Sequence, residues 1–206
     1  YKLGLDLTGC VFTDCTRGYW FRASRTVLDR VSNCVFASND YGIYDGVIVQ
    51  EGKGHKRPVV HSTFVSNRTW AVYYSATHHP GGVSHYNNAY TGDKGLYVHA
   101  FDPITLDHCL FDCNENTRWG QKDNTYRKKD STNTCFSAFA DVTLDGLMPG
   151  RPNAGSALLH AGGTLVPAFP ADLAVDVEGR PRNLNPGHID IGAYRAPLKG
   201  LIIFVR

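Results

Sequence analysis

Apolar and polar residues alternate along this chain in short runs, rich in Val, Phe, Tyr and Thr and bounded by Gly, Asn and Asp, as in Val31-Ser32-Asn33-Cys34-Val35-Phe36. That is the period of a β-strand with one face buried. An amphipathic helix would need about ten or more residues of period 3.6, and no such run separates the strand-like segments. One pattern recurs five times: a small or Cys residue, an aromatic two positions on, and Asn, Asp or Cys three beyond that. The copies are Cys10-Phe12-Cys15, Cys34-Phe36-Asn39, Ser62-Phe64-Asn67, Asn88-Tyr90-Asp93 and Cys109-Phe111-Asn114. Their aromatics, at positions 12, 36, 64, 90 and 111, are 24, 28, 26 and 21 residues apart, the range of one coil of a solenoid.

If each turn returns to the same place, equivalent residues stack at the strand spacing of ~4.8 Å. Phe12, Phe36, Phe64, Tyr90 and Phe111 then form an internal aromatic column, with Cys10, Cys34, Ser62, Asn88 and Cys109 beside it. Asn39, Asn67, Asp93 and Asn114 fall where each strand ends, where Asn and Asp tolerate left-handed geometry and their side chains can bond from coil to coil. Further strands follow each bend at Gly42-Ile43-Tyr44, Trp70-Ala71-Val72-Tyr73 and Gly95-Leu96-Tyr97-Val98. Several short strands per coil with polar corners predict an all-β fold, a parallel β-helix of about five to seven coils. The coils are expected over residues 1–147, with a long surface loop at 115–134, and an irregular closing segment over 148–206.

The aliphatic-x-x-Cys-x-Phe-x-x-Asn pattern, best seen at Val31 to Asn39, resembles the coils of bacterial right-handed parallel β-helix proteins of the pectate-lyase-like superfamily. Gly155-Ser156-Ala157-Leu158-Leu159-His160-Ala161-Gly162, Asp176-Val177-Glu178-Gly179-Arg180-Pro181-Arg182 and Asp190-Ile191-Gly192-Ala193-Tyr194 are similar to the closing segment of secreted choice-of-anchor Q domain proteins. Arg195 stands where that family usually has Glu, and His160 where it more often has Asp. The resemblance implies a right-handed fold and an extracellular or cell-surface location, and it implies no reaction.

Composition fits that class: 206 residues with 42% hydrophobic residues suffice for a core, and 21 Gly with 12% aromatics suit many strands and bends. A formal net charge of +2 without a basic stripe argues against a nucleic-acid partner. The opening Tyr1-Lys2-Leu3-Gly4-Leu5-Asp6-Leu7 shows no leader pattern, so an export signal would lie outside this chain. It also starts within a coil, which predicts an upstream segment or a second copy covering the edge at Leu3 to Leu7. Leu201 to Val205 is apolar but far short of the ~20 residues of a transmembrane helix. It reads as a final strand, an assembly edge or the start of an anchor.

Six cysteines, at 10, 15, 34, 109, 113 and 135, include no Cys-x-x-Cys pair, and three of them fill the inward column, so buried free thiols are expected and zinc is not. His61 and His108 precede that column, where Asn33 and Asn87 stand in other coils, and read as a polar corner ladder or a ligand row. His78, His79, His85 and His99 with Asp102 would suffice for a metal, but adjacent histidines point apart on extended chain, and no cofactor is expected.

Function in a solenoid is carried by what interrupts the repeat. The basic loop Gln50 to Pro58 supplies Lys53, His55, Lys56 and Arg57, and the segment from Glu115 to Thr134 supplies Arg118, Trp119, Tyr126 and Arg127. Cations neutralise uronate or sulfate and aromatics pack on sugar rings, so these residues are the candidate carbohydrate site, with a polysaccharide as the partner. The bland alternative is solvated polar loop. A lyase would use Lys or Arg with His or a metal, and its groups would come from the same set. A hydrolase would need two carboxylates about 5 to 9.5 Å apart, and Asp45, Asp93 and Asp123 carry no motif. The sequence therefore favours an extracellular scaffold or adhesion module, with a polysaccharide lyase and a self-assembling fibre or surface-layer subunit as the alternatives.

Overall fold

The computed structural model describes residues 3–21, 26–46, 57–75, 83–98, 104–119, 131–135, 142–143, 149–152, 155–163, 174–185 and 188–195. Three successive coils are each built of three separate strands: β1 (Leu3–Thr8), β2 (Val11–Thr13) and β3 (Arg17–Phe21), then β4 (Thr26–Ser32), β5 (Val35–Ala37) and β6 (Tyr41–Asp45), then β7 (Arg57–Val60), β8 (Thr63–Val65) and β9 (Trp70–Tyr74). They are followed by β10 (Val83–Tyr86) and β11 (Ala89–Val98), by β12 (Ile104–Trp119), and by β13 (Ser131–Cys135), which pairs on β12. All these pairings are parallel and run from one coil to the next. Three faces result. The first joins β1, β4, β7, β10 and β12, the second β2, β5, β8, β11 and β12, and the third β3, β6, β9, β11 and the end of β12. Because β11 and β12 pass round corners unbroken, the faces merge into one 13-stranded sheet, a parallel β-solenoid. A small antiparallel pair, β14 (Val142–Thr143) with β15 (Arg151–Pro152), stands apart. Among the described residues no helix is long and apolar enough to cross a membrane.

The register places Phe12, Phe36, Phe64, Tyr90 and Phe111 directly opposite one another. Their rings stack with centroids 5.0, 5.0, 4.9 and 4.5 Å apart and planes within 9° of parallel. The separations match the interstrand spacing of ~4.8 Å, so the column follows from in-register pairing alone. Val31, Ile43, Val72, Leu96 and Leu106 pack around it in one buried cluster.

Each coil turns at left-handed residues. One set is Gly9, Asn33, His61, Asn87 and His108, with φ between 47° and 65°, and the other is Asp14, Ser38, Ser66 and Gly92. Asn, Asp and His are the side chains that best tolerate this region, which accounts for two histidines at corner positions. The residue after the first corner belongs to the Cys10, Cys34, Ser62, Asn88 and Cys109 column. There Ser62 Oγ accepts from Cys34 N at 3.3 Å and Asn88 Oδ1 from Ser62 N at 2.8 Å, so the side chain of one coil satisfies the turn amide of the previous one. Five cysteines among the described residues are free thiols, and burial pushes Cys34, Cys109 and Cys113 up to about 12.

At the second corner the structure differs from the sequence reading. The left-handed residue is Ser38 or Ser66, one position before the asparagine. Asn39 and Asn67 are instead buried, and Asn67 Oδ1 accepts from Asn39 N at 3.2 Å and from Asn39 Nδ2 at 3.1 Å, while Asn67 Nδ2 donates to Phe36 O at 2.9 Å. Asp93 and Asn114 do not continue this ladder. They are exposed and bond to each other at 3.1 Å, because the corner has been shortened. From Phe64 to its third-face partner position at Val72 there are eight steps, but from Tyr90 to Leu96 only six. Glu115 to Trp119 and Ser131 to Thr134, read from sequence as part of a loop, are likewise strand in β12 and β13.

The closing segment lies along the outside of the second face. Ala193, Tyr194 and Val177 pack on Val35, Ala37 and Val65, and Leu158 and Ile191 pack on Ala89 and Leu110. These central strands are therefore buried on both sides, whereas Val11, in the same column one coil earlier, remains 39% exposed.

Candidate functional site

The third face presents an organised row of side chains to the outside. Strand alternation sends Ile43, Val72 and Leu96 inward and their neighbours Tyr44, Tyr73 and Tyr97 outward. Pairing puts Trp20, Tyr44, Tyr73, Tyr97 and Arg118 in one column across successive coils. Tyr44 stacks on Tyr73 at 5.2 Å and Tyr73 on Tyr97 at 4.4 Å, with interplanar angles of 15° and 14°. A second column on the same face runs Arg17, Tyr41, Trp70. Tyr41 meets Tyr44 edge-on at 5.1 Å, and Trp70 tilts against Tyr97 at 5.4 Å.

Cations flank both ends. The Arg17 guanidinium lies 4.1 Å from the Trp20 ring and 4.5 Å from the Tyr44 ring, taking the place of a ring in the stack. Lys94 and Arg118 sit 5.6 and 5.5 Å from the Trp70 ring. Arg118 holds Glu115 with two bonds, Nε to Oε1 at 2.6 Å and Nη2 to Oε2 at 2.8 Å. Among the described residues no carboxylate pairs with Arg17 or Lys94. Arg17 and Lys94 are therefore cations of this row that no described carboxylate offsets.

The way the rings are used decides what this face offers. Tyr44, Tyr73 and Tyr97 cover one another's faces, so outward they show ring edges and phenol hydroxyls. Trp20, at right angles to Tyr44 and with the Arg17 guanidinium over its ring, is 42% exposed. Burial, and then the neighbouring phenols of Tyr97, Tyr44 and Tyr41, raise Tyr73 above the ordinary tyrosine value. It stays a neutral hydrogen-bonding phenol.

Of the carbohydrate candidates read from sequence, Arg118 belongs to this face. Arg57 begins β7 and Trp119 ends β12, and only their backbones are described. Lys53, His55, Lys56, Tyr126 and Arg127 lie outside the described residues, as do His78, His79, His99, Asp102 and Asp123. Asp45 is fully buried. Tyr41, Tyr44, Tyr73, Tyr97 and Trp20 were not singled out by the sequence reading, although their spacing carried the signal: positions 20, 44, 73 and 97 repeat at coil length.

Three histidines, His85, His61 and His108, serve the solenoid. His85 is buried, with Tyr74 OH at 2.9 Å from Nε2 and Tyr90 OH at 2.6 Å from Nδ1, and burial draws it down to about 3. His61, Asn33 and Asn87 form a corner ladder sealed beneath the closing segment. Asn87 Oδ1 accepts from Gly163 N at 2.7 Å, and Asn33 Nδ2 donates to Val175 O at 2.9 Å. His108 Nδ1 donates to Asp107 Oδ1 at 2.6 Å, with Gly163 packed on the imidazole. Among the described residues no group of three or more His, Cys, Asp or Glu is placed to hold a metal ion.

No protein family, no curated protein and no solved structure matches this chain.

Proposed function

We propose that the protein is an extracellular or cell-surface β-solenoid scaffold that adheres to acidic polysaccharide through the outside of its third face. One observation carries this reading: the Trp20, Tyr44, Tyr73, Tyr97 row runs along the coils with Arg17, Lys94 and Arg118 beside it. Successive phenol hydroxyls follow one another at ring separations of 5.2 and 4.4 Å, a repeat suited to hydrogen bonding a hydroxyl-rich chain laid along the solenoid. Trp20 adds a partly exposed indole edge, and the cations supply partners for carboxylate or sulfate groups. The coil and closing motifs that resemble secreted pectate-lyase-like and choice-of-anchor Q proteins support the location. Inward polar side chains such as Ser62, Asn67 and Asn88 are bonded from coil to coil, which suits a scaffold role.

Affinity electrophoresis through gels containing polygalacturonate, a sulfated glycan or a neutral glucan tests this. The acidic glycans retard the protein at low salt, added salt weakens the retardation, and the double variant Arg17→Ala/Trp20→Ala loses most of it. Equal migration in all three gels would overturn the adhesive reading. Release of unsaturated product would replace it with a lyase.

A further inference from the structure

The two tightest-stacked outward rings, Tyr73 and Tyr97, are chemically able to become more than neighbours. Their strands pair in register, residue opposite residue. The ring centroids are 4.4 Å apart at 14°, closer than Tyr44 to Tyr73 at 5.2 Å. Two in-register parallel phenols place the ring carbons beside each hydroxyl close to their counterparts. Tyr41, by contrast, crosses Tyr44 at 81° and Tyr73 at 66°, which sets its ring carbons apart from theirs. Both Tyr73 and Tyr97 are half-buried on the outside of the sheet, within reach of an oxidant. The inner column differs in both respects: it is phenylalanine except for Tyr90, which is sealed in the core with its hydroxyl on His85.

We propose that Tyr73 and Tyr97 form an oxidative cross-linking site, joined by a haem peroxidase with hydrogen peroxide into a dityrosine staple between β9 and β11. Each phenol gives one hydrogen atom, as a proton and an electron, to the peroxidase. The two phenoxyl radicals couple through the ring carbons next to oxygen, forming one carbon–carbon bond. The proton on each coupling carbon then moves to its own oxygen and restores the phenol. In total two tyrosines and one hydrogen peroxide give one dityrosine and two waters. The rings must splay to accept the bond, and their outward position leaves room for that. The staple ties two successive coils covalently where their corner has been shortened.

Dilute purified protein treated with horseradish peroxidase and hydrogen peroxide tests the site by intact mass, dityrosine emission and peptide mapping. The monomer loses the mass of two hydrogens, and one cross-linked peptide contains Tyr73 and Tyr97. Tyr73→Phe and Tyr97→Phe keep the stacked ring and bring monomer emission to background, whereas Tyr41→Phe leaves it unchanged. Cross-links only between molecules, a monomer of unchanged mass, or a bond mapped to other tyrosines would each overturn the proposal.

Discussion

His85 sits inside the solenoid between two phenol hydroxyls, without a carboxylate bonded to it. As a neutral ring it uses one nitrogen as donor and the other as acceptor, so Tyr74 and Tyr90 complete its hydrogen bonding. Protonation would place an unpaired charge in the core, and burial accordingly lowers it from 6.5 to about 3. Burial and the Arg182 charge also hold His61 well below its ordinary value. In both cases the folded pKa is depressed, so the unfolded chain takes the proton first. Their stabilising contribution is whole above pH 6.5 and is lost progressively as pH falls below it, at up to about 1.4 kcal/mol per pH unit for each histidine. Urea midpoints measured from pH 7 to pH 5 should therefore fall, and His85→Gln, which keeps a donor and an acceptor, should roughly halve the slope. An unchanged slope in that variant would show that His85 is not the group that titrates.

At the scale of the element, the corner decides how closely coils approach. A Cβ on Gly42 would stand 2.5 Å from Ala71 O and 3.0 Å from the Phe64 ring, against backbone of the next coil that cannot swing away. Gly9 has the left-handed φ of 65° but open space where its Cβ would be. Gly42→Ala is thus expected to cost about 3 kcal/mol through overpacking, and Gly9→Ala about 1 kcal/mol through backbone strain alone. Chemical denaturation of the two variants checks the order, and a costlier Gly9→Ala would refute the packing account. The same closeness explains what could be read from sequence. In-register stacking demands similar residues at each level, so the inner aromatic column and the Cys10 to Cys109 column appear as a repeat. Asp93 and Asn114 kept the offset from the aromatic while two corner residues were lost, so a pattern of types could not reveal that they face solvent. The outward row was hidden for a related reason. Gly42-Ile43-Tyr44, Trp70-Ala71-Val72-Tyr73 and Gly95-Leu96-Tyr97-Val98 are legible as strands, but which side of the sheet a tyrosine takes depends on how the preceding corner resets the alternation. The segments at Lys53 to Arg57 and at Tyr126 stand out in sequence by length and charge, which say nothing about the row on the third face.

For the whole molecule, the question is how an irregular segment stays on a regular stack. Arg182 provides the joint. It is buried, and its Nη2 donates to Asn33 Oδ1 at 2.9 Å, to Gly192 O at 2.9 Å and to Ala193 O at 2.8 Å, while Nε reaches Val175 O at 3.3 Å. Burial lowers it to about 10, opposed by Asp176 and Asp190, so it remains a cation at neutral pH. One side chain thus ties the corner ladder to two segments of the cover, at Val175 and at Gly192–Ala193. Around it the cover is stitched on by single bonds, Ala193 N to Thr63 Oγ1 at 2.8 Å and Gly192 N to Asn87 O at 2.7 Å. Arg182→Met keeps bulk but strands several buried acceptors, and should cost about 3 kcal/mol. The loss should be local, because the coils close their own ladders through Val35 N to Cys10 O, Thr63 N to Cys34 O and Ala89 N to Ser62 O. In hydrogen exchange the amides of Val177, Ile191, Gly192 and Ala193 should lose protection together while those three coil amides keep theirs, and a hydrophobic dye should bind the uncovered Val35, Val65 and Leu110. If cover and coil amides lose protection to the same extent, the closing segment is part of one cooperative unit with the solenoid and Arg182 is not a separable joint.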